Sequence, residues 1–239
     1  RGGVKIMRAV FDGTLRSLVA CYQTDKDSPY HNKRFKTREN YDYLMGRLTR
    51  DTWTSDGDVR VIGDELIRDI KARTLLRWHE GWTSTGHTAM GHALIGMLRT
   101  LISFGATILE EPECARVKGL LHDMRFKMAT PRNERLTAEQ ATMVREAAHR
   151  AGLRSVALAQ ALQFEITLRQ KDVIGEWVPQ SERGTSDVID GNSKWLWGLR
   201  WSEIDKNLIL RHTTSKRQKD IEGDLRLAPM VMEELTAMF

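Results

Sequence analysis

The chain has 239 residues, of which 41% are hydrophobic and 29% are charged, a composition typical of globular proteins. Its length allows one large domain or two ordinary ones. Two cysteines, Cys21 and Cys114, are too few for a disulfide framework or a cysteine metal site, which favours a reducing compartment. Because the sequence has no long unbroken apolar run and no signal-peptide pattern, we predict neither a membrane partner nor secretion.

Positive charge is concentrated in the first half of the chain. Residues 1–136 contain 23 Lys and Arg against 17 Asp and Glu, a net charge of +6, whereas residues 137–239 contain 14 against 15, a net charge of −1. A basic half is typical of proteins that bind polyanions, of which nucleic acid is the commonest. The net charge of the whole chain is a mild +5, so charge alone does not establish nucleic-acid binding.

The first half reads as a basic tail followed by helices. Residues 1–11 form the tail, and apolar residues at helical spacing then predict a series of amphipathic helices over residues 12–128. These helices begin near Thr14, Thr37, Asp64, Ser84 and Pro112. Residues 129–136 are polar and include a proline, and composition and charge both change there. We therefore predict a linker at residues 129–136 that separates two domains, 12–128 and 137–239.

The second half reads as helices followed by short strands. Thr137 and Gln140 match a capping box that starts a helix ending near Arg150. Residues 155–177 are apolar on nearly every side, so we predict a buried helix there. Residues 180–194 read as an exposed loop. Strands are predicted around residues 199–204, 208–211 and 225–227, with a hairpin loop at 213–223 and a last helix from residue 230. The fold class is therefore mainly α with two domains, a helical first domain and an α+β second domain with a small antiparallel sheet.

Two cations in the second half are candidates for chemistry. Arg169 lies on the predicted buried helix with Asp172 three residues further on, and an arginine held away from water requires an anion, either a carboxylate or a phosphate. The alternative interpretation is that Arg169 and Asp172 form an ordinary local ion pair, as an arginine and an aspartate three residues apart on a helix usually do. Lys216 lies in the predicted hairpin loop, where a solvated basic loop is the alternative interpretation. We interpret His212 as structural or as a DNA contact, and the seven histidines form no metal-binding pattern.

Taken in order, these features resemble the tyrosine recombinase (phage integrase) family. The resemblance rests on the capping-box helix, a helix ending in Leu-Arg-x-x-acid, the segment RWSEID, the lysine of TTSKR, and the segment Leu227-Ala228-Pro229. It implies that residues 12–128 are a helical, SAM-like core-binding domain and that residues 137–239 are the first part of a catalytic domain.

The resemblance also implies a function and the conditions in which it operates. It implies site-specific recombination of double-stranded DNA, in the integration or excision of a mobile element, through a 3′-phosphotyrosine and without metal or nucleotide cofactor. The assembly is expected to be a tetramer on DNA, in the bacterial nucleoid or a phage-infected cell.

The resemblance assigns roles to individual residues. A planar, permanently charged guanidinium suits a pentavalent phosphorus, so Arg169 would stabilise its charge, and Lys216 would protonate the leaving 5′ oxygen. Asp172 would orient Arg169 without transferring a proton. The predicted DNA contacts are Lys33, Arg34, Lys36, Arg38, Thr85, His87, Arg217 and Lys219. For residues 33–38 a solvated approach to the helix is the alternative.

One family feature is missing from this sequence. The later His-x-x-Arg motif and nucleophilic tyrosine do not follow Arg169 and Lys216, and the four tyrosines, at positions 22, 30, 41 and 43, all lie in the first half. We therefore expect a truncated DNA-binding fragment that does not cleave DNA. The alternatives are a recombinase-like DNA-binding or regulatory protein without catalytic activity, and a helical adaptor whose basic half binds acidic partners.

Overall fold

A computed structural model describes residues 9–238, so most of the predicted basic tail lies outside the described residues. The chain divides into two compact units, Arg1–Pro131 and Arg132–Phe239. The division falls inside the stretch predicted as a linker. Each unit has its own cluster of buried apolar side chains.

The described part of the first unit consists of helices and one β-hairpin. The elements are α1 (Leu15–Thr24), α2 (Phe35–Arg50), β1 (Thr52–Ser55), β2 (Asp58–Val61), α3 (Ala72–Thr83), α4 (Thr88–Thr107) and α5 (Pro112–Asp123). The hairpin was not predicted. Its signal is the dipeptide Asp56-Gly57, which has positive φ at both residues and is typical of the tight turn that joins two antiparallel strands.

Helix α4 is the centre of the first unit. Leu94, Leu98 and Leu101 are fully buried on it and pack with residues of α1, α2, α3 and α5 in one cluster. By length and mean hydropathy α4 is apolar enough to cross a membrane, but about half of its apolar window is buried inside the protein. We therefore interpret it as a core helix.

The second unit, as far as it is described, consists of helices and two small antiparallel sheets. The elements are α6 (Ala138–Arg150), α7 (Arg154–Glu165), α8 (Gln170–Ile174), β3 (Glu176–Pro179), β4 (Ile189–Asp190), β5 (Ser193–Leu196), β6 (Ile209–Thr213), β7 (Asp220–Asp224) and α9 (Pro229–Met238). One sheet has the order β3-β5-β4, and the other is the hairpin β6-β7. The mainly helical fold with small antiparallel sheets is thus confirmed.

Several element predictions in the second unit were wrong. The single helix at 155–177 is two helices and a strand, because the chain leaves the helical conformation after Glu165 and again at Gly175, whose φ of 70° and ψ of −165° only glycine adopts readily. The segment predicted as a loop at 180–194 contains β4 and the start of β5. The segments predicted as strands at 199–204 and 225–227 contain 3₁₀ turns.

The predicted capping box of α6 is confirmed. The Thr137 side chain accepts from the backbone N–H of Gln140 at 3.3 Å, and the Gln140 side chain accepts from the Thr137 N–H at 3.0 Å. Replacing Thr137 by alanine is expected to lower the free energy of unfolding of this unit by about 1 kcal/mol, because the first turn of α6 loses a capping acceptor. Urea denaturation measures the loss, and the Thr137→Ser variant, which keeps the hydroxyl, serves as the control.

Candidate active site and nucleic-acid interface

Arg169 lies in a position that the sequence did not predict. Instead of ending a buried helix, it is the cap residue that precedes α8, and its side chain is 49% exposed. The buried-helix environment predicted for it was therefore wrong. One guanidinium nitrogen, Nη1, lies 3.7 Å from Oδ2 of Asp172, which is beyond hydrogen-bond length. The arginine thus reaches solvent and keeps most of its donors available.

Asp172 is the buried centre of this region. Its side chain is 1% exposed, and its Oδ1 accepts from the backbone N–H of Ser215 at 2.6 Å. Burial raises the pKa of this carboxyl, but the hydrogen bonds from Ser215 and the charges of His212 and Arg169 outweigh burial and lower it. Asp172 is therefore a stable carboxylate that joins the start of α8 to the β6-β7 loop.

The loop that carries Lys216 is shorter than predicted. Strand β6 ends at Thr213 and β7 begins at Asp220, so the loop is residues 214–219. Its base is closed by backbone bonds from Thr214 to Lys219 and from Gln218 to Thr214. Lys216, Arg217 and Lys219 are exposed, and within residues 9–238 their side chains have no ion pair. Since the Ser215 N–H is bound to Asp172, the structure brings the loop that carries Lys216 to the carboxylate that faces Arg169.

Behind this carboxylate lies a polar pair that the sequence did not reveal. His212 is 5% exposed on β6, and its Nδ1 lies 2.9 Å from Oε1 of Glu203. Oε2 of Glu203 accepts from the backbone N–H of Arg200 at 2.7 Å, which fixes the carboxylate. His212 is therefore structural, one of the two interpretations left open, and its burial excludes a direct DNA contact in this conformation.

The predicted contact cluster at residues 33–38 surrounds the start of α2. Lys36 forms an ion pair with Glu39 at 2.7 Å, and Nη1 of Arg38 donates to the carbonyl oxygen of Lys33 at 2.6 Å. Arg34 is the exposed cap residue of the helix. These local contacts agree with the alternative of a solvated helix start, and the DNA contacts of Lys33, Arg34, Lys36 and Arg38 stay predictions.

The first unit contains a groove that includes the other two predicted contacts. It has a volume of about 830 Å³ and lies between the β1-β2 hairpin, α2, α3 and the start of α4. Thr85 and His87 line it, with a contact of 2.8 Å between the Thr85 hydroxyl and the His87 ring, and helix α4 begins after them rather than at Ser84. We call this the arginine groove, because its lining also includes Arg47, Arg50 and Arg77.

The arginines of this groove differ in their bonding. Arg47 is bound to Asp51 at 2.7 Å, and Asp51 also accepts from the indole N–H of Trp82. Arg50 and Arg77 have no ion-pair partner among residues 9–238. Two unpaired guanidinium groups beside Trp53 and the exposed Thr85 make the groove a suitable surface for an anionic chain. Sequence reasoning missed it because its residues come from four elements.

No group of three or more histidine, cysteine or acidic side chains in the described part of the chain is placed to hold a metal ion.

The chain was compared with family models, with curated protein sequences and with solved structures, and matches were found among the solved structures. No family model and no curated protein sequence matches the chain. Three solved structures of lambda integrase match it. A lambda integrase dimer bound to a COC′ core site matches with a TM-score of 0.63 and 18% identity over 94% of this chain. The chain has the tyrosine recombinase fold. At this identity the match shows the fold alone.

The other two lambda integrase structures agree. A tetramer bound to a Holliday junction matches with a TM-score of 0.63 and 17% identity over 94% of this chain. A form comprising residues 75–356, bound to DNA, matches with a TM-score of 0.59 and 18% identity over 93% of this chain. The chain spans 53%, 56% and 65% of the three matched chains. The predicted resemblance to the tyrosine recombinase fold is confirmed.

Proposed function

We propose that this chain binds double-stranded DNA as part of a tyrosine-type site-specific recombinase. The observation that carries the proposal is the position of Asp172, which holds the loop of Lys216 through the Ser215 N–H and faces the guanidinium of Arg169. The guanidinium of Arg169 and the loop that carries Lys216 therefore approach the same buried carboxylate. DNA phosphate is the ligand that this arrangement suits best.

Each side chain has a distinct task in this proposal. The guanidinium of Arg169 donates to the non-bridging oxygens of the scissile phosphate and stabilises the charge that develops on them. Lys216, on a loop that only its base holds, donates a proton to the leaving 5′ oxygen. Asp172 stays ionised and orients the other two. The positive charges of Arg169 and Lys216 neutralise the charge of the phosphate.

The nucleophile is not supplied by the second unit of this chain. Residues 132–239 contain no tyrosine, and all four tyrosines lie in the first unit, where Tyr22 is fully buried and burial raises the pKa of its phenol to about 12. In the proposal this chain binds DNA and prepares a phosphate, and the attacking tyrosine comes from outside residues 1–239.

This absence also favours a second candidate, a recombinase-like DNA-binding or regulatory protein without catalytic activity. The two candidates differ in whether a covalent 3′-phosphotyrosine complex forms on nicked duplex DNA when the sequence is tested within its complete open reading frame. A complex that survives denaturation supports the recombinase, and its absence under conditions of tight DNA binding supports the regulatory protein.

The proposed function predicts binding to duplex DNA that weakens steeply with salt. Each phosphate contact releases condensed counterions, so the logarithm of affinity should fall with the logarithm of salt concentration with a slope of roughly −0.9 per contact. Fluorescence titration of a labelled duplex at several salt concentrations measures this slope. A chain that does not bind duplex DNA even at low salt contradicts both candidates.

Single variants locate the contact surfaces. Replacing Arg77 in the arginine groove, or Lys216 in the second unit, by glutamine is expected to reduce the salt slope by about 1, since one phosphate contact is lost. The matched controls are Lys118→Gln on α5 for the first unit and Arg150→Gln on α6 for the second, each of which removes one positive charge at a residue that is not part of the proposed surface of its own unit. If the controls lower the slope as much as the test variants, the positive charge acts non-specifically and the proposed surfaces are wrong.

A further inference from the structure

Two buried polar atoms near the proposed phosphate site lack hydrogen-bond partners. One is Oδ2 of Asp172, and the other is Nε2 of His212. Both residues are almost completely buried, and the charge of His212 helps to lower the pKa of the Asp172 carboxyl. Buried polar groups without partners are rare in native proteins, because each costs the free energy of its lost hydration. Two such atoms of complementary kind in one region therefore require an explanation.

The contact with Glu203 fixes one proton of the His212 ring. Nδ1 lies 2.9 Å from the Glu203 carboxylate, which only accepts, so Nδ1 is a donor. The ring is thereby oriented with Nε2 as its other polar atom. The charged groups that act on this ring are Glu203 on the turn before β6 and Asp172 on α8, and Arg169 approaches Asp172 from the solvent side.

We propose that His212 is a positioning residue that links Glu203 to Asp172 and thereby holds the Arg169 and Lys216 side of the site in place. Nε2–H donates to Oδ2 of Asp172 through one bridging water, and this donor fixes the carboxylate while Oδ1 holds the Ser215 N–H. The proposal rests on the proposed function, because it assigns the network to the same phosphate site.

The chain of contacts ties down the base of the loop and leaves the Lys216 side chain exposed. Glu203 is bound to the backbone of Arg200, His212 to Glu203, and Ser215 to Asp172. A general acid must reach its substrate, whereas the backbone beneath it must hold its place. Fixing Ser215 while leaving the Lys216 side chain without an ion pair meets both needs.

The first test compares two near-isosteric variants of His212. The amide nitrogen of glutamine takes the place of Nε2, and that of asparagine takes the place of Nδ1, so each variant keeps one of the two donors. The readout is hydrogen exchange of the Ser215 amide by NMR in the whole chain. We expect His212→Gln to stay close to wild type and His212→Asn to exchange about tenfold faster, since a charged hydrogen bond is weakened. Equal exchange in the two variants would show a merely space-filling role and overturn the proposal.

A second measurement needs no variant of His212. Long-range ¹⁵N–¹H spectra of the wild-type chain are expected to show protons on both ring nitrogens of His212, with the Nε2 proton protected from exchange. Asp172→Asn should remove that protection, because the amide accepts a weaker bond. A ring with no proton on Nε2 refutes the link.

The same samples separate this inference from the proposed function. Duplex titration of wild type and both His212 variants reports DNA binding, whereas the NMR readouts require no DNA. If the wild type does not bind duplex DNA, the proposed function fails, and with it the purpose given to the network. If the wild type binds duplex DNA and the Ser215 amide exchanges at the same rate in both His212 variants, the proposed function is retained and the positioning role of His212 is wrong.

Discussion

Replacing Glu234 by alanine is expected to lower the free energy of unfolding of the second unit by about 3–5 kcal/mol, because it leaves a buried guanidinium without its closest anion. Glu234 lies on α9, and its side chain is 1% exposed. Its Oε1 accepts from Nε of Arg145 on α6 at 2.6 Å, and Arg145 is itself 8% exposed. Nε2 of His149 lies 2.8 Å from the other carboxylate oxygen. The pair joins the first and last helices of the unit.

The neighbouring acid provides the control. Glu233 also binds Arg145, through Nη2 at 2.7 Å, but its side chain is 67% exposed. Solvent screens such a partner, so Glu233→Ala is expected to cost about 0–1 kcal/mol. Urea denaturation of the whole chain measures both losses, and hydrogen exchange assigns the transition to residues 132–239. If Glu234→Ala and Glu233→Ala destabilise equally, Glu234 is not the buried partner that holds Arg145.

A double variant separates charge from packing. Replacing Arg145 by methionine together with Glu234 by leucine removes both charges and keeps apolar volume, so we expect most of the lost stability to return. A double variant that is as unstable as Glu234→Ala would mean that the helix contact depends on hydrogen bonding rather than on avoiding an unpaired charge.

The parts of the fold that were predicted correctly are those determined by residues close together in the sequence. The capping box at Thr137 and the last helix both appear where expected, since each is set by residues within a few positions of one another. The fold class followed from the same helical spacings. The hairpin that carries Lys216 was recognised, although its strands were misplaced by several residues.

The parts that the sequence did not predict depend on long-range contacts. The apolar run at 155–177 has no periodicity that distinguishes helix from strand. Where helix α8 ends and strand β3 begins depends on Gly175 and on the pairing of Glu176–Pro179 with β5. Asp172 was predicted to orient Arg169, but its bond to Ser215 joins residues 43 positions apart, and the pair of Glu203 and His212 was not foreseen. Local patterns therefore found the charged residues of the candidate site, and tertiary structure alone revealed how they are held.

Replacing Asp172 by alanine is expected to lower the free energy of unfolding of the second unit at neutral pH by about 1.5–3 kcal/mol, the range for hydrogen bonds to charged groups. The variant removes the acceptor of the Ser215 N–H and leaves that donor buried. The base of the 214–219 loop should then open, so the Ser215 amide should exchange much faster than in wild type. Asp172→Asn keeps an oxygen acceptor for Ser215 and is expected to lose less.

Acid provides a second check on Asp172. The folded protein lowers the pKa of this carboxyl below its unfolded value of about 3.9, so ionised Asp172 contributes stability above that pH. This contribution is lost as pH falls through the lower, folded pKa. The stability difference between wild type and Asp172→Asn should therefore be constant near neutrality and shrink below about pH 4. Urea denaturation of both proteins at a series of acidic pH values measures this difference. A difference that grows on acidification would mean that the folded protein holds Asp172 in its neutral form, and a neutral acid would not orient Arg169.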